Sequence, residues 1–541
     1  LLGILYPHYL APIPSLSIVE FQLPEDSQLT GRHVIPRHAE LLTRPVNGMP
    51  CRFRTAYPVE LWPITVSAAV MEPVERSPFA LGGDDVVALV RIRLRCLTDQ
   101  MTFTKLGIDR LRFFLDGEPA LIHALHELLL NNTRQVSLVD VATPARRMNL
   151  RHTRPQAVGF SSDEGVLDYG PRSFIGYRLL QEYFAFPDKF LFFDLTGLEV
   201  AMRAGFGREV EVVIALGEFE RRERLSRLMK TVEARTFRLG CTPIVNLFRQ
   251  AVEPVRLTHQ KTEYLVMPDA RRPWGMEVYS VDRVTNVVQT KRQEDLIQYQ
   301  PFYSYRHALQ PEGQSTFWYA NRRTSPRQDD PGTDVYLSLV DLNFDPSLPA
   351  TETLSISATC TNRDLPALLP FGNPQGDFDL PGGASGVVAR IRALRKPTPT
   401  VRLRLRRGLQ WRLISHLSLN HLSLVQEGRE ALLEILNLYN FADAAVTRRQ
   451  IGGIVQLTSR PGITRVGVGA HAAFMRGTEV ELELDEDQFV GGGVYLLASV
   501  LEQFLGLYCA LNSYTRLTVR SRQREKVLAQ WPPRLGDAHL V

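Results

Sequence analysis

The stretch Phe474-Met475-Arg476-Gly477-Thr478-Glu479-Val480-Glu481-Leu482-Glu483-Leu484, continued by an apolar run at 494–511 and by Thr515-Arg516-Leu517-Thr518-Val519-Arg520, decides the fold class. Val480, Leu482 and Leu484 alternate with Glu479, Glu481 and Glu483, the period of two that turns apolar side chains to one sheet face and carboxylates to water. Asp485 to Phe489 and Gly491-Gly492-Gly493 interrupt the strand. The run 494–511 then reads as a helix apolar nearly all round, broken only by Ser499, Glu502, Gln503 and Gly506. Crossing a bilayer takes about 20 consecutive apolar residues, and Glu502 and Gln503 stand side by side at the centre of this run. It therefore reads as a buried helix, and one this apolar must be covered by something large. Leu517 and Val519, alternating with Arg516 and Arg520, complete a strand-helix-strand unit.

Outward from that unit, 541 residues suffice for roughly two to four domains. Hydrophobic content of 44% and charged content of 22% are those of an ordinary globular protein. A formal charge of +5 is small for this length, so nucleic acid is not required as the main partner. Cys51, Cys96, Cys241, Cys360 and Cys509 form no CxxC pair, and their odd number argues against a disulfide framework and for a reducing compartment. No charged-then-apolar signal peptide opens the chain. The abrupt apolar start Leu1-Leu2-Gly3-Ile4-Leu5-Tyr6, without an initiator Met, suggests a missing upstream segment.

In chain order, Pro7, Pro12 and Pro14 punctuate the opening, and 17–23, 51–57, 59–71 and 86–97 read as strands. A helix is predicted over 120–131, with Leu121, Leu125, Leu128 and Leu129 on one face and His123 and His126 on its flanks. A further helix spans 173–185 and leads into a dense aromatic segment containing Phe184, Phe186, Phe190, Phe192 and Phe193. A strand at 209–216 and a charged helix at 219–232 follow, then strands at 277–288, 316–321 and 333–342. The Pro- and Gly-rich stretch 366–399 reads as a linker, and 411–424 and 427–439 carry helical periodicity. The expected architecture is mixed α/β (α+β), β-rich and multi-domain. Its expected parts are a β-rich N-terminal domain at 1–165, a central mixed β/α domain at 166–395 and a C-terminal α/β domain at 396–541.

Candidate chemistry is sparse. His416 and His421 are five apart, about 140° around a helix, where zinc-binding helices place their ligands four apart. Asp485-Glu486-Asp487 resembles the start of a calcium loop, but Phe489 occupies a ligand position, so a solvated turn is expected. Gly467-Val468-Gly469 lacks the third glycine of a dinucleotide fold, and neither GxxxxGK[ST] nor GxSxG occurs. Two of Asp329, Asp330 and Asp334 offer the carboxylates of a general acid and base, but the Pro331-Gly332 turn before a strand explains the cluster with no chemistry and is the preferred account. Basic runs at Arg402, Arg404, Arg406 and Arg407, and at Arg520, Arg522, Arg524 and Lys526, fit a solvated strand face and helix end, or a contact with an acidic partner.

Several blocks together resemble one family. They are Leu-Leu-Gly-Ile-Leu-Tyr-Pro-His-Tyr-Leu at 1–10, Glu-Tyr-Phe-Ala-Phe-Pro-Asp-Lys-Phe at 182–190 and Gly-Cys-Thr-Pro-Ile-Val-Asn-Leu-Phe at 240–248. Gly-Thr-Asp-Val-Tyr-Leu-Ser-Leu at 332–339, Trp-Arg-Leu-Ile-Ser-His-Leu-Ser-Leu-Asn at 411–420 and Thr-Val-Arg-Ser-Arg-Gln-Arg-Glu at 518–525 complete the set. Together these are similar to the TssF family, also called VasA or ImpG, of type VI secretion baseplates, without the helical segment that precedes the first block in that family. The resemblance implies a non-enzymatic wedge similar to those of contractile phage baseplates, with no catalytic, cofactor or metal residue to carry over. It also implies two copies joined to one TssG, and assembly with TssE and TssK around the VgrG spike. That assembly lies in the cytoplasm at the inner face of the membrane, without inserting into it, where the contractile sheath is primed.

Charge and position mark Arg520, Arg522 and Arg524, with exposed parts of the Pro-rich first domain, as the candidate protein interface. The alternatives from other classes are a hydrolase using Asp329, Asp330 and Asp334, and a nucleic-acid binder built on the arginine runs.

Overall fold

In a computed structural model, the described residues are 3, 6–76, 85–150, 153–170, 173–220, 222–258, 261–289, 294–302, 316–341, 353–381, 386–403, 411, 414, 428–466, 473–507, 509 and 511–536. The chain is mixed α+β and strand-rich. A closed six-stranded barrel stands at its centre, in the order Leu16–Gln22, Cys241–Val245, Met49–Thr55, Glu40–Val46, Phe378–Asp379, Arg390–Ala393. Val19, Phe21, Leu41, Phe53, Ile244, Phe378 and Ile391 share one buried core with the barrel's neighbouring loops. Gly240 enters the Cys241 strand at φ +66°, and a Cβ there would lie 2.7 Å from the Phe21 carbonyl oxygen, so this close approach needs glycine.

The barrel changes the reading of 366–399. That stretch is no linker: Phe378–Asp379 pairs with Thr43 and Leu42, and Arg390–Ala393 pairs with Val19 to Gln22. Such short strands among prolines and glycines leave no alternation to read. Likewise 59–71 is not one strand but Val59–Leu61 and Ile64–Pro73, broken at Pro63, whose missing N–H cannot join a ladder.

Beside the barrel lies a five-stranded antiparallel sheet ordered Arg147–Leu150, Thr133–Asp140, Glu209–Gly217, Val86–Cys96, Ile64–Pro73. Its central strand, Glu209–Gly217, is buried on both faces and therefore reads as Val-Glu-Val-Val-Ile-Ala-Leu rather than as an alternation. An eight-stranded sheet within residues 248–361 forms a separate body with its own core, including Val284, Trp318, Leu337, Leu354 and Ile356. The strand-helix-strand unit closes the chain as expected. Ala473–Leu484 and Tyr514–Ser521 are parallel and in register from Thr478↔Thr515 to Leu484↔Ser521, joined through the helix Val494–Leu507.

That helix is covered by the largest core in the molecule, which runs from Tyr6 to Ala529. It packs on Ile175–Ala185, where the Phe504 ring meets Tyr177 at 5.7 Å and Phe174 at 6.4 Å. Tyr177 stacks on Tyr439 at 5.8 Å, and the Tyr9 hydroxyl donates to the Leu438 carbonyl at 2.7 Å. Chain start, middle and end thus share one interior. Glu502, the charge in the apolar helix, is buried and receives Arg534 at 2.7 and 2.9 Å.

A second buried charge pair lies deeper. Glu182 and Lys189, both within the block 182–190, are almost wholly buried and bonded to each other. The other Glu182 oxygen accepts the Val166 and Leu167 N–H groups at 2.8 and 2.9 Å, and Lys189 donates to the Glu164 carbonyl at 3.1 Å. Arg178, one helical turn before Glu182, donates to the carbonyls of Ser161 and Ser162 at 2.7 and 2.8 Å. The helix thereby fixes the whole loop 161–167. Burial lowers the Lys189 ammonium from its ordinary value, and the Glu182 carboxylate opposes that.

Glu182→Gln leaves Lys189 buried without a countercharge and should cost about 3–5 kcal/mol of unfolding free energy, measurable by chemical denaturation. An unchanged denaturation midpoint would contradict the assigned pairing. Acid stability supplies a second check. Burial lowers His8 to about 3, His123 to about 4 and His126 to about 3, against an ordinary 6.5. Because the unfolded chain binds these protons first, stability is fully present above 6.5 and is lost as pH falls, by about 1 kcal/mol per pH unit for each histidine. Denaturation midpoints at about pH 7 and about pH 5 should therefore differ, the lower pH being the less stable. Replacing His126 by Gln should flatten that slope.

Candidate subunit interface

On the outer face of the closing sheet the predicted carboxylates do not simply face water. Arg516 pairs with Glu479 at 3.3 Å, Arg520 with Glu481, and Arg522 with Glu483 at 2.9 Å. The parallel register places Glu479 beside Arg516 and Glu483 beside Arg520, so one strand supplies acids and its neighbour bases. Exposed pairs of this kind contribute about 0–1 kcal/mol each. Arg520 and Arg522 keep 52% and 55% of their side-chain surface accessible, so both remain open to a partner.

Arg524 sits differently. Its side chain is 6% exposed and bridges Glu127, on the helix Pro119–Asn131, to Glu486, with the guanidinium 5.4 Å above the Phe219 ring. Burial works against its charge, but Glu127 and Glu486 outweigh this and hold it protonated more firmly than an ordinary arginine. Burial raises the Glu127 carboxyl, with Arg524 opposing. Lys526 pairs with Glu218, and the Glu525 and Lys526 N–H groups donate to Glu220 at 3.1 and 3.0 Å. The run 520–526 is thus a strand end and turn, not a helix end, and its last part clasps the closing sheet to the helix Pro119–Asn131 and to the segment after Glu209–Gly217. Of the three arginines expected at an interface, Arg520 and Arg522 stay exposed, whereas Arg524 is committed inward.

The acidic turn also departs from its expected form. Asp485 accepts the Asp487 N–H at 3.1 Å and caps a short 3-10 turn, while Glu486 is buried against Arg524 rather than solvated. Glu127 and Glu220, the acceptors for this tail, carry no local sequence signal, since each lies hundreds of residues from its partner.

The aspartate cluster is an ion network. Asp330 meets Arg363 at 3.0 Å and Arg327 at 3.7 Å, and Asp334 meets the same two at 3.7 and 3.8 Å. Burial raises the Asp330 carboxyl, but the Gly332 N–H, Ser325, Arg363 and Arg327 together leave it below its ordinary value. A general acid needs the opposite shift. Asp329 lies in the turn at φ 59°. Nearby, wholly buried Glu277 accepts from Arg402 at 2.7 Å, and Arg402 also meets Asp364 at 3.0 Å. Arg402 therefore belongs to the interior. Arg404, Arg406, Arg407, His416, His421 and Gly467 to Gly469 fall outside the described residues.

A cleft of about 1060 Å³ opens between the barrel and the sheets beside it. Its charges are largely matched in pairs, as in Arg110 with Glu60 at 2.9 Å and Arg112 with Asp194 at 2.7 Å. Among the described residues no group of three or more His, Cys, Asp or Glu side chains is arranged to hold a metal ion. What the geometry offers is a set of internal ionic clasps and an outer sheet face of paired acids and bases.

Known proteins resemble this chain along nearly its whole length. The family described as "Type VI secretion system, TssF" matches residues 1–538. The type VI secretion system component TssF1 of Pseudomonas aeruginosa is 35% identical over 99% of this chain and 87% of its own length. Among solved structures, a chain of the type VI secretion system TssK-TssF-TssG baseplate subcomplex, seen by cryo-electron microscopy, superposes with a TM-score of 0.79. Its identity is 25%, over 98% of this chain and 92% of that one. Matched by the family nearly end to end and by a relative across its whole length, the chain belongs to the TssF family of type VI secretion systems.

Proposed function

We propose that this protein is a structural wedge of a type VI secretion baseplate, bound to TssG and TssK, and that it acts by positioning partners rather than by catalysis. The observation that carries this reading is the superposition of nearly the whole chain on a chain of the TssK-TssF-TssG subcomplex, at a TM-score of 0.79. The physical character of the molecule supports it. One core joins chain start to chain end, and buried ion pairs tie distant segments together. Such a body transmits force without rearranging internally, as a platform beneath a contracting sheath must.

Within this reading two copies join one TssG, and wedges of this kind help to recruit TssE and TssK and assemble around the VgrG spike, where the sheath is primed. It works in the cytoplasm at the inner face of the membrane. All five cysteines are free and buried, which suits a reducing compartment. No helix among the described residues is long and apolar enough to cross a membrane.

Co-expression with TssG from the same gene cluster, followed by size-exclusion chromatography with light scattering, should yield a complex with the mass of two copies of this chain and one TssG. A chain that stays alone under these conditions would refute the wedge. Charge reversal at Arg520 and Arg522 together should weaken assembly while leaving the thermal unfolding temperature within a degree or so, since exposed pairs contribute little to folding. Assembly unaffected by the double reversal would remove this face from the interface.

A further inference from the structure

The hairpin Ile454–Val466/Ala473–Leu484 is longer than the sheet that holds it. The parallel strand pairs only with Thr478 to Leu484, so 462–466 and 473–477 continue beyond it as a two-stranded arm. Its root is built to be rigid. Gly462 and Gly477 face each other across the hairpin, and the Tyr514 side chain lies over both. A Cβ on Gly477 would come within 2.3 Å of the Tyr514 ring, and one on Gly462 within 2.5 Å of its hydroxyl. That hydroxyl donates to Glu479 at 2.7 Å, and Arg516 donates to Thr464 at 3.0 Å. An aromatic ring laid over paired strand glycines restores the packing that they lack. The outer face of the arm is thus braced by the body.

The inner face is bare. Strand alternation places Ile463, Arg465, Phe474 and Arg476 on the side that, further down the same strands, carries the buried Leu457, Val480 and Leu482. In register, Ile463 lies opposite Arg476 and Phe474 opposite Arg465. Ile463 is 68% exposed and Phe474 81%, and both arginines are exposed. Along the body of this sheet Arg516, Arg520, Arg522 and Arg524 each have a carboxylate, whereas Arg465 and Arg476 meet none among the described residues. An apolar pair crossed by two unmatched cations, on a braced projection, is complementary to an apolar pocket with a rim of carboxylates.

We propose that this inner face docks into a partner subunit of the baseplate presenting an apolar pocket rimmed by acidic side chains, with Ile463 and Phe474 as anchors and Arg465 and Arg476 as the charged flanks. The proposal rests on the baseplate reading above. It adds a surface distinct from the Arg520 and Arg522 face, which lies on the opposite side of the sheet.

The test uses the full chain with TssG and TssK from the same gene cluster. Amide hydrogen exchange in the complex should slow across 462–466 and 473–477 relative to the chain alone. The double variant Ile463→Ser with Phe474→Ser, and separately Arg465→Glu with Arg476→Glu, should each weaken assembly roughly tenfold or more. Thermal unfolding of the free chain should not change, because all four side chains are exposed. A photo-crosslinker placed at Phe474 should capture a partner peptide that combines apolar residues with Asp or Glu. A complex that forms with the arm still exchanging freely, or a crosslink to a second copy of this chain, would overturn the proposal while leaving the baseplate reading intact. Failure of the unaltered chain to assemble at all would overturn both.

Discussion

The buried pair of Glu182 and Lys189 is the constraint around which the interior is arranged. Neither charge is tolerable alone at that depth, and each uses its remaining hydrogen-bonding capacity on backbone of the loop 161–167. Arg178 completes the grip on that loop, and Glu164, held there, receives Arg112 at 2.9 Å beside Asp194. The four-stranded sheet containing Arg110–Leu115 and Phe192–Thr196 is thereby tied to the helix Ile175–Ala185 that supports the closing unit. Replacing such a pair with apolar residues often leaves stability unchanged. What the pair supplies here is a single permitted arrangement of helix, loop and sheet.

The same device recurs wherever distant segments meet. Arg524 joins the chain end to Glu127, Arg402 joins the segment after the barrel to Glu277, and Arg395 joins a barrel strand to Asp116 and Asp188 at 2.8 and 2.6 Å. Each clasp spans at least a hundred residues of sequence and is at least partly desolvated, so it is much less screened by salt than a surface pair. Apolar packing is tolerant of small shifts, whereas a bidentate guanidinium on a carboxylate fixes both distance and orientation. A subunit that must hold its neighbours in place through a mechanical event gains from joints of the second kind.

Local pattern explains how much of this could be read in advance. The closing strand-helix-strand unit was legible because Glu479 to Leu484 alternate without error and 494–507 are apolar nearly all round; both are properties of single elements. The barrel was not. Its strands come from 16–22, 40–55, 241–245 and 378–393, and only pairing with strands more than three hundred residues away makes a Gly- and Pro-rich stretch part of a sheet, with Phe378 buried against Phe53 at 5.4 Å between rings. Of the candidate interface residues, Arg520 and Arg522 keep the exposure that their alternation suggests. Arg524 does not, because its burial depends on Glu127, some four hundred residues away. Glu486 defeated the reading of a solvated turn for the same reason.

Internal pairing also separates body from periphery. Along the closing sheet, acids and bases cancel strand by strand, leaving little net field to attract a partner at a distance. Cancellation ends where the parallel strand ends, at the paired glycines beneath Tyr514. Beyond that point the hairpin keeps its hydrogen-bonded ladder but loses its cover, and side chains that would be core within the body become surface. A two-stranded ribbon is marginal by itself, so its persistence here depends on the Tyr514 and Arg516 braces at its root. Folding alone gives no reason to extend and brace a ribbon that buries nothing further. A partner that covers its inner face supplies that reason, and makes the arm part of the assembly's core rather than of this subunit's.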